Sequence, residues 1–212
     1  MKNKKRVYAY YDGSNFYHLL KLNYKITSIF FHHVTNQLMD LENERLIKIK
    51  YFNSPVSQQE EPENYKRQLK FFEKLKKTPF LELSLGRLVK RPLNKINIKC
   101  QNCGLQKADT INCPKCKNQI KITETYKITE KGIDVQLTIS LLLDALNNKY
   151  DTALLFSGDA DFVPAIKYII KNLKKEVIFC YFPKPKTNEL IQSCSDKRLI
   201  TKEIIKNSQI NS

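Results

Sequence analysis

Two short apolar runs, each closed by an acid, constrain this chain more than any other feature. Residues 152–156 read Thr-Ala-Leu-Leu-Phe and lead into Ser157-Gly158-Asp159-Ala160-Asp161. A run with no charge to turn toward water suits a strand covered on both faces, as in the centre of a parallel sheet. Residues 7–11 form a second buried run, and Asp12 follows it at once. The fold must therefore supply two layers of helix around a sheet, and the rest of the chain offers them.

Asp12-Gly13-Ser14-Asn15 is expected to turn the chain into a helix starting near Phe16, with a second helical stretch over 29–41. Residues 46–52 alternate apolar and lysine positions and predict a strand, closed by Asn53-Ser54-Pro55. Residues 61–77 predict a charged amphipathic helix, with Tyr65, Leu69, Phe72 and Leu75 on one face and an end before Pro79. Residues 80–89 predict one further strand. Residues 132–146 predict a helix with a wide apolar face, and 161–173 another, with Phe162, Ala165, Ile166, Ile169, Ile170 and Leu173 at the helical period and Pro164 in its first turn. A strand over 177–182, a short helix over 189–194 and a last strand over 198–201 complete the reading. Strands alternating with helices imply right-handed crossovers and a mostly parallel sheet.

Residues 94–126 break this rhythm. They have no helical period and carry Cys100-Gln101-Asn102-Cys103 and Cys113-Pro114-Lys115-Cys116, a CxxC-x9-CxxC pattern. Two such knuckles make a closed four-thiolate site, so Cys100, Cys103, Cys113 and Cys116 are the expected ligands of a structural Zn2+. Few large apolar residues lie here, so zinc would stand in for a core. A pair of redox motifs is the weaker reading, since neither CxxC lies at a strand-to-helix turn. The expected organisation is a main domain over 1–93 and 127–205, a zinc ribbon inserted at 94–126, and a disordered tail over 206–212.

Charge narrows the partners. The 212 residues hold 37 Lys and Arg against 21 Asp and Glu, a net +16. Such an excess points to an anionic partner, usually nucleic acid, although a lysine-rich composition kept for solubility would look the same. Lysines at 66, 70, 74, 76 and 77 line one helix, and Arg87, Lys90 and Arg91 continue toward the insert. Patches of this kind hold phosphates without reading sequence. The insert could also serve as a lid or as the contact of a homodimer. No run of 18 apolar residues is present, and the basic start, Met1-Lys2-Asn3-Lys4-Lys5-Arg6, is followed by too short an apolar stretch for a signal-peptide core, so a cytoplasmic chain with reduced cysteines and no membrane partner is expected.

The acids are the candidate chemistry. In an open α/β sheet, ligands bind beyond the carboxyl ends of the strands where the strand order reverses. If the strands over 7–11 and 152–156 are neighbours, Asp12, Asp159 and Asp161 converge there, and Asp134 in the first turn of its helix would reach the same edge. Crowded carboxylates resist ionisation, and a divalent cation removes the conflict. Oxygen-only donors select Mg2+ or Mn2+, which can polarise a phosphoryl oxygen and activate water. Each Asp taken singly is also a good helix cap. Two acids two residues apart after a glycine exceed what a cap needs.

Tyr11-Asp12-Gly13-Ser14-Asn15-Phe16, Lys131-Gly132-Ile133-Asp134-Val135 and Ser157-Gly158-Asp159-Ala160-Asp161-Phe162-Val163-Pro164 together resemble the three motifs of the NYN domain family, a branch of the PIN-like nucleases. The resemblance covers the chain outside 94–126. It implies a PIN-like Rossmannoid α/β fold of three layers with a mostly parallel central sheet, and a metal-dependent endoribonuclease acting on RNA, single-stranded by expectation. It makes Asp12, Asp134, Asp159 and Asp161 the metal-binding and catalytic positions, with Asn15 and Ser157 supporting them. Lys90, Arg91 and Lys131 are candidate contacts for nucleic acid. Relatives often carry one more acid where this chain has Ser140. Asp144 is a poor substitute, ten residues past Asp134 and roughly 15 Å along a helix. That departure keeps open a non-catalytic RNA-binding module on the same fold, and a phosphatase or nucleotide hydrolase is a third reading. Asp151, at the opposite end of its strand, is expected to be a solvated turn residue, and His18, His32 and His33 have no ligand spacing with the acids.

Overall fold

A computed structural model of the chain describes residues 3–59, 61–92, 110–112, 115–117, 119–121, 126–185 and 187–210. The elements run β1 (Lys5–Asp12), α1 (Gly13–Tyr24), α2 (Phe31–Leu38), β2 (Glu44–Asn53), α3 (Pro62–Lys76), β3 (Leu81–Leu85), β4 (Arg87–Pro92), β5 (Thr110–Asn112), β6 (Gln119–Lys121) and β7 (Tyr126–Lys131). They continue with α4 (Ile133–Leu146), β8 (Thr152–Phe156), a 3-10 turn (Ala160–Phe162), α5 (Val163–Leu173), β9 (Glu176–Tyr181), α6 (Asn188–Ser193), β10 (Asp196–Leu199) and α7 (Lys202–Asn207). The chain divides into two units, one of Met1–Arg87 with Lys131–Ser212 and one of Leu88–Glu130.

The first unit is built on six strands in the order β10-β9-β8-β1-β2-β3, all parallel. The two apolar runs are the two central strands, β1 and β8, paired from Val7↔Thr152 to Tyr11↔Phe156. Their side chains alternate between two cores. Val7, Ala9 and Tyr11 pack with Phe16 and Leu20 of α1, Phe31 and Val34 of α2, and Phe72 and Leu75 of α3. Tyr8 and Tyr10 pack with Leu137 and Leu141 of α4, Ile166 and Ile169 of α5, and Leu190 of α6. A strand buried on both faces must be apolar throughout, which is why these runs contain no charge. The expected three-layer α/β architecture with a mostly parallel sheet is the one observed. Among the described residues, no helix is long and apolar enough to cross a membrane.

The N-terminal edge of this sheet is held by ion pairs. Asp151 accepts from the Arg6 guanidinium and backbone and from Lys175. Glu176 pairs with Lys5, and the buried Glu44 takes both guanidinium nitrogens of Arg198. Asp151 does lie at the opposite end of β8 from the candidate site, but it is not the solvated turn residue expected; the hydrogen bond from Arg6 holds its carboxyl well below the ordinary Asp range.

Three expectations are corrected. Residues 80–89 are not one strand: the chain breaks at Gly86, and β3 joins the main sheet while β4 pairs with β7. Gly86 donates its N–H to the Asn53 carbonyl, and a Cβ there would stand 2.4 Å from Ser54 Oγ and 2.8 Å from Ile133 Cδ1, so any larger residue would push these side chains aside. The helix expected from Asp161 opens with the 3-10 turn before α5. Residues 206–209, expected in a disordered tail, are ordered: Lys206 and Asn207 close α7, Ser208 is buried, and Gln209 bridges to Ile29.

The second unit contains most of the β4–β7 pair and the antiparallel β5–β6 pair, with Thr129 Oγ1 donating to the Val89 carbonyl. Of the expected zinc ligands, Cys100, Cys103 and Cys113 lie outside the described residues, and Cys116 is exposed in a turn. Lys90 and Arg91 are in β4.

Candidate active site

Asp12 is the last residue of β1 and the N-cap of α1, and only 5% of its surface is exposed. Its Oδ1 accepts from the Asn15 N–H at 3.1 Å, the ordinary cap bond that makes the strand turn into a helix here. Gly13 must be glycine, because a Cβ would sit 2.5 Å from the ring of Tyr51. The second carboxylate oxygen is held from the neighbouring strand: Ser157 Oγ donates to Asp12 Oδ2 at 2.9 Å.

The loop after β8 is built around that serine. Ser157 Oγ also accepts from the Asp159 N–H at 3.2 Å, and the Gly158 N–H donates to Asn15 Oδ1 at 2.9 Å. Asp159 Oδ1 accepts from the Asp161 N–H at 2.9 Å and so caps the 3-10 turn. The Gly158 carbonyl takes the Thr187 hydroxyl at 3.0 Å, which ties in the segment after β9. Thr187 was not legible in the sequence, since it is 29 residues away and in no motif. A cavity of about 70 Å³ lies beside Asn15, Leu19, Ser157, Gly158 and Thr187. That is room for a few water molecules and too little for a nucleotide.

Asp134 comes to the same edge from α4. It occupies the first turn, after Gly132 at φ 89°. Its carboxyl is raised above the ordinary Asp range, first by partial dehydration and then by the negative charges of Asp159 and Asp161, with Lys131 opposing. Asp134, Asp159, Asp161 and Lys131 are thus within electrostatic reach of one another. Among the described residues, Asp134, Asp159 and Asp161 make no salt bridge, whereas Glu44, Asp151 and Glu176 at the other edge all do. Among the described residues, however, no group of three or more His, Cys, Asp or Glu side chains is drawn together closely enough to enclose a metal ion.

Deeper under α4 is a polar cluster that the sequence did not reveal. Lys50 of β2, nearly buried, stands 2.5 Å from Asp144 and donates to Ser140 Oγ at 2.9 Å, and the Tyr10 hydroxyl donates to Asp144 at 2.8 Å. Asp144 is therefore neutralised by Lys50 and does not join the other acids, and Ser140 binds a lysine. His18 and His33 are exposed, and His32 meets the side-chain amide of Asn36.

No curated protein matches this chain. Among solved structures, a protein of unknown function from Vibrio parahaemolyticus superposes with a TM-score of 0.59 at 17% identity, over 95% of this chain and 96% of that one; at this identity the likeness speaks for the fold. The family model of the NYN domain matches residues 6–201, which takes in both central strands and all four acids, and the chain belongs to the NYN domain family.

Proposed function

We propose that this chain is a divalent-metal-dependent endoribonuclease whose site is formed by Asp12, Asp134, Asp159 and Asp161. The NYN domain lies within the PIN-like nuclease superfamily, which points to nuclease activity on RNA. The observation that carries the finer reading is the gathering of acids at the switch point of the sheet: partial burial and then the charges of Asp159 and Asp161 raise Asp134, and Ser157 links their loop to Asp12.

A donor set of carboxylate oxygens suits Mg2+ or Mn2+. The open spacing of the acids suits an ion that keeps several waters and is held by one or two carboxylates and the substrate phosphate, as Mg2+ commonly is. Asp12, Asp134, Asp159 and Asp161 would hold it, and when bound it would lower the pKa of a coordinated water and offset charge on the phosphodiester. The chain's own residues do the remaining work. Asn15 and Ser157 fix the orientation of Asp12, the Asp161 N–H fixes Asp159, and Lys131 places a positive charge beside Asp134 where a phosphate would approach. The +16 charge draws the polyanion to a small acidic site.

The zinc ribbon is proposed alongside, with Cys100, Cys103, Cys113 and Cys116 as ligands of a structural Zn2+. One mole of zinc per chain by atomic absorption, lost in Cys103→Ser, is the expected result.

A non-catalytic RNA-binding module is favoured by one observation, that Ser140 contacts Lys50 rather than adding an acid to the site. Incubation with a labelled RNA and Mn2+ separates the two. The nuclease reading expects internal cleavage that EDTA stops and that Asp159→Asn removes while RNA binding survives. Tight binding with no cleavage under Mg2+, Mn2+ or Ca2+ would overturn it.

A further inference from the structure

Four aromatic rings form a row on the surface around α2, apart from the acids. Phe30 lies 5.1 Å from His33, His33 lies 5.9 Å from His32, and His32 lies 6.3 Å from Phe80 at an interplanar angle of 16°, all between ring centroids. Phe30 is 44% and Phe80 59% exposed, and His33 is exposed as well. Phe80 is unusual a second time: its backbone is at φ 64°, a region that bulky residues rarely enter. The segment is fixed there, since the Phe80 carbonyl accepts from Ile49 N–H at 2.7 Å, within the run that starts β3. Strain of this kind persists where the surroundings over-determine it, and it leaves a large ring facing water.

Lysine surrounds the row in sequence. Phe80 follows the C-terminus of α3 by four residues, and Lys74, Lys76 and Lys77 there are exposed. Lys76 is paired with Glu73. Exposed aromatic rings with exposed lysines close by in sequence, on a chain of +16, are complementary to a strand that offers both flat bases and phosphates. A duplex keeps its bases stacked inside and offers the rings nothing.

We infer that the Phe30–His33–His32–Phe80 row is a base-stacking platform for single-stranded RNA, distinct from the carboxylates. This rests on the reading that RNA is the substrate, and it adds a second place where the strand is gripped. Neighbouring rings stand 5.1, 5.9 and 6.3 Å apart at interplanar angles of 46°, 55° and 16°, so the bases they take lie tilted to one another rather than in one stack.

The test uses the full chain carrying Asp159→Asn in EDTA, so that nothing is cut, with a fluorescent single-stranded RNA followed by anisotropy. Phe80→Gly removes the ring and also relieves the backbone, so its thermal midpoint should be no lower than the parent's. It should bind the strand at least about five-fold more weakly, as loss of one stacked base does. Phe30→Ala should weaken binding similarly. Phe80→Tyr should restore it, and Leu146→Ala, an exposed apolar change on α4 outside the row, should leave it unchanged. Unchanged binding in Phe80→Gly and Phe30→Ala overturns the platform, as does an equal loss with duplex RNA, an equal loss in Leu146→Ala, or no binding by the parent. The nuclease reading fails differently: if the intact chain binds through the row but cleaves nothing with any metal, the platform stands and the catalytic proposal does not.

Discussion

The hydroxyl of Ser157 donates to Asp12 Oδ2 at 2.9 Å, joining two residues 145 positions apart at the C-terminal ends of adjacent strands. Because the same oxygen accepts from the Asp159 N–H, one serine sets both the most buried acid and the loop of the next two. Ser157→Ala removes a bond to a buried carboxylate, which costs on the order of 1–3 kcal/mol. The expected outcome is a drop of roughly ten-fold or more in cleavage rate, with a fall of several degrees in the thermal midpoint and RNA affinity unchanged. Steady-state kinetics and calorimetry read the three separately. A full-rate Ser157→Ala enzyme would mean that Asp12 needs no support from β8.

The raised carboxyl of Asp134 has a consequence for stability. An acid whose folded pKa lies above its unfolded value, about 3.9, disfavours folding at every pH above that value. Without metal, Asp134→Asn should therefore be slightly more stable than the parent at pH 7, by up to about 0.5 kcal/mol for so exposed a residue, and the advantage should vanish below about pH 4. Saturating Mn2+ should reverse the order, because a bound ion stabilises only the chain that holds it. Midpoints measured with EDTA and with Mn2+ at pH 4 and 7 check this; a parent midpoint indifferent to Mn2+ would count against ion binding at Asp134.

Asp151 has the opposite sign. Its carboxyl is held low by Arg6, so its contribution is fully present above the unfolded value near 3.9 and is lost as the pH falls through the lower folded value. Asp151→Asn should cost about 1 kcal/mol at pH 7, a figure that allows for solvent around this partly exposed pair, and clearly less at pH 2, where the contribution is only partly retained. Denaturant titrations at the two pH values would show a difference that narrows on acidification. Cleavage activity should not change, since the pair is at the far edge of the sheet.

Lys50 and Asp144 form a nearly buried pair under α4. Removing one partner leaves a charge without its counterion, at a cost of about 3–5 kcal/mol, while replacing both by apolar residues of similar size is often neutral. Lys50→Met should therefore be more destabilised than the double variant Lys50→Met, Asp144→Leu. Chemical denaturation of the parent, Lys50→Met, Asp144→Leu and the double variant gives the coupling directly, and additive losses would show that the pair is not coupled.

Much of this molecule was legible as sequence because local rules are short-ranged. A strand buried on both faces has to be apolar at every position, so residues 7–11 and 152–156 announced themselves, and a turn into a helix needs a cap, so Asp12 and Asp159 did too. What the sequence did not determine is which strands are neighbours. The residues from 80 to 89 alternate as one strand would, yet the close approach at Gly86 sends its halves to different sheets. Lys50 stands in an alternating strand like the half-buried Lys48, and only the packing of α4 over β2 reveals that it is covered and bound to Asp144. Asp134 carries a motif but no sign of its surroundings, and its carboxyl is raised by partial burial and then by the charges of Asp159 and Asp161 on the β8 loop. Periodicity and capping act within a few residues and can be read along the chain. The charge environment of a carboxylate, the partner of a buried lysine and the rings that line up around α2 depend on groups brought together from distant segments, and that only the tertiary structure decides.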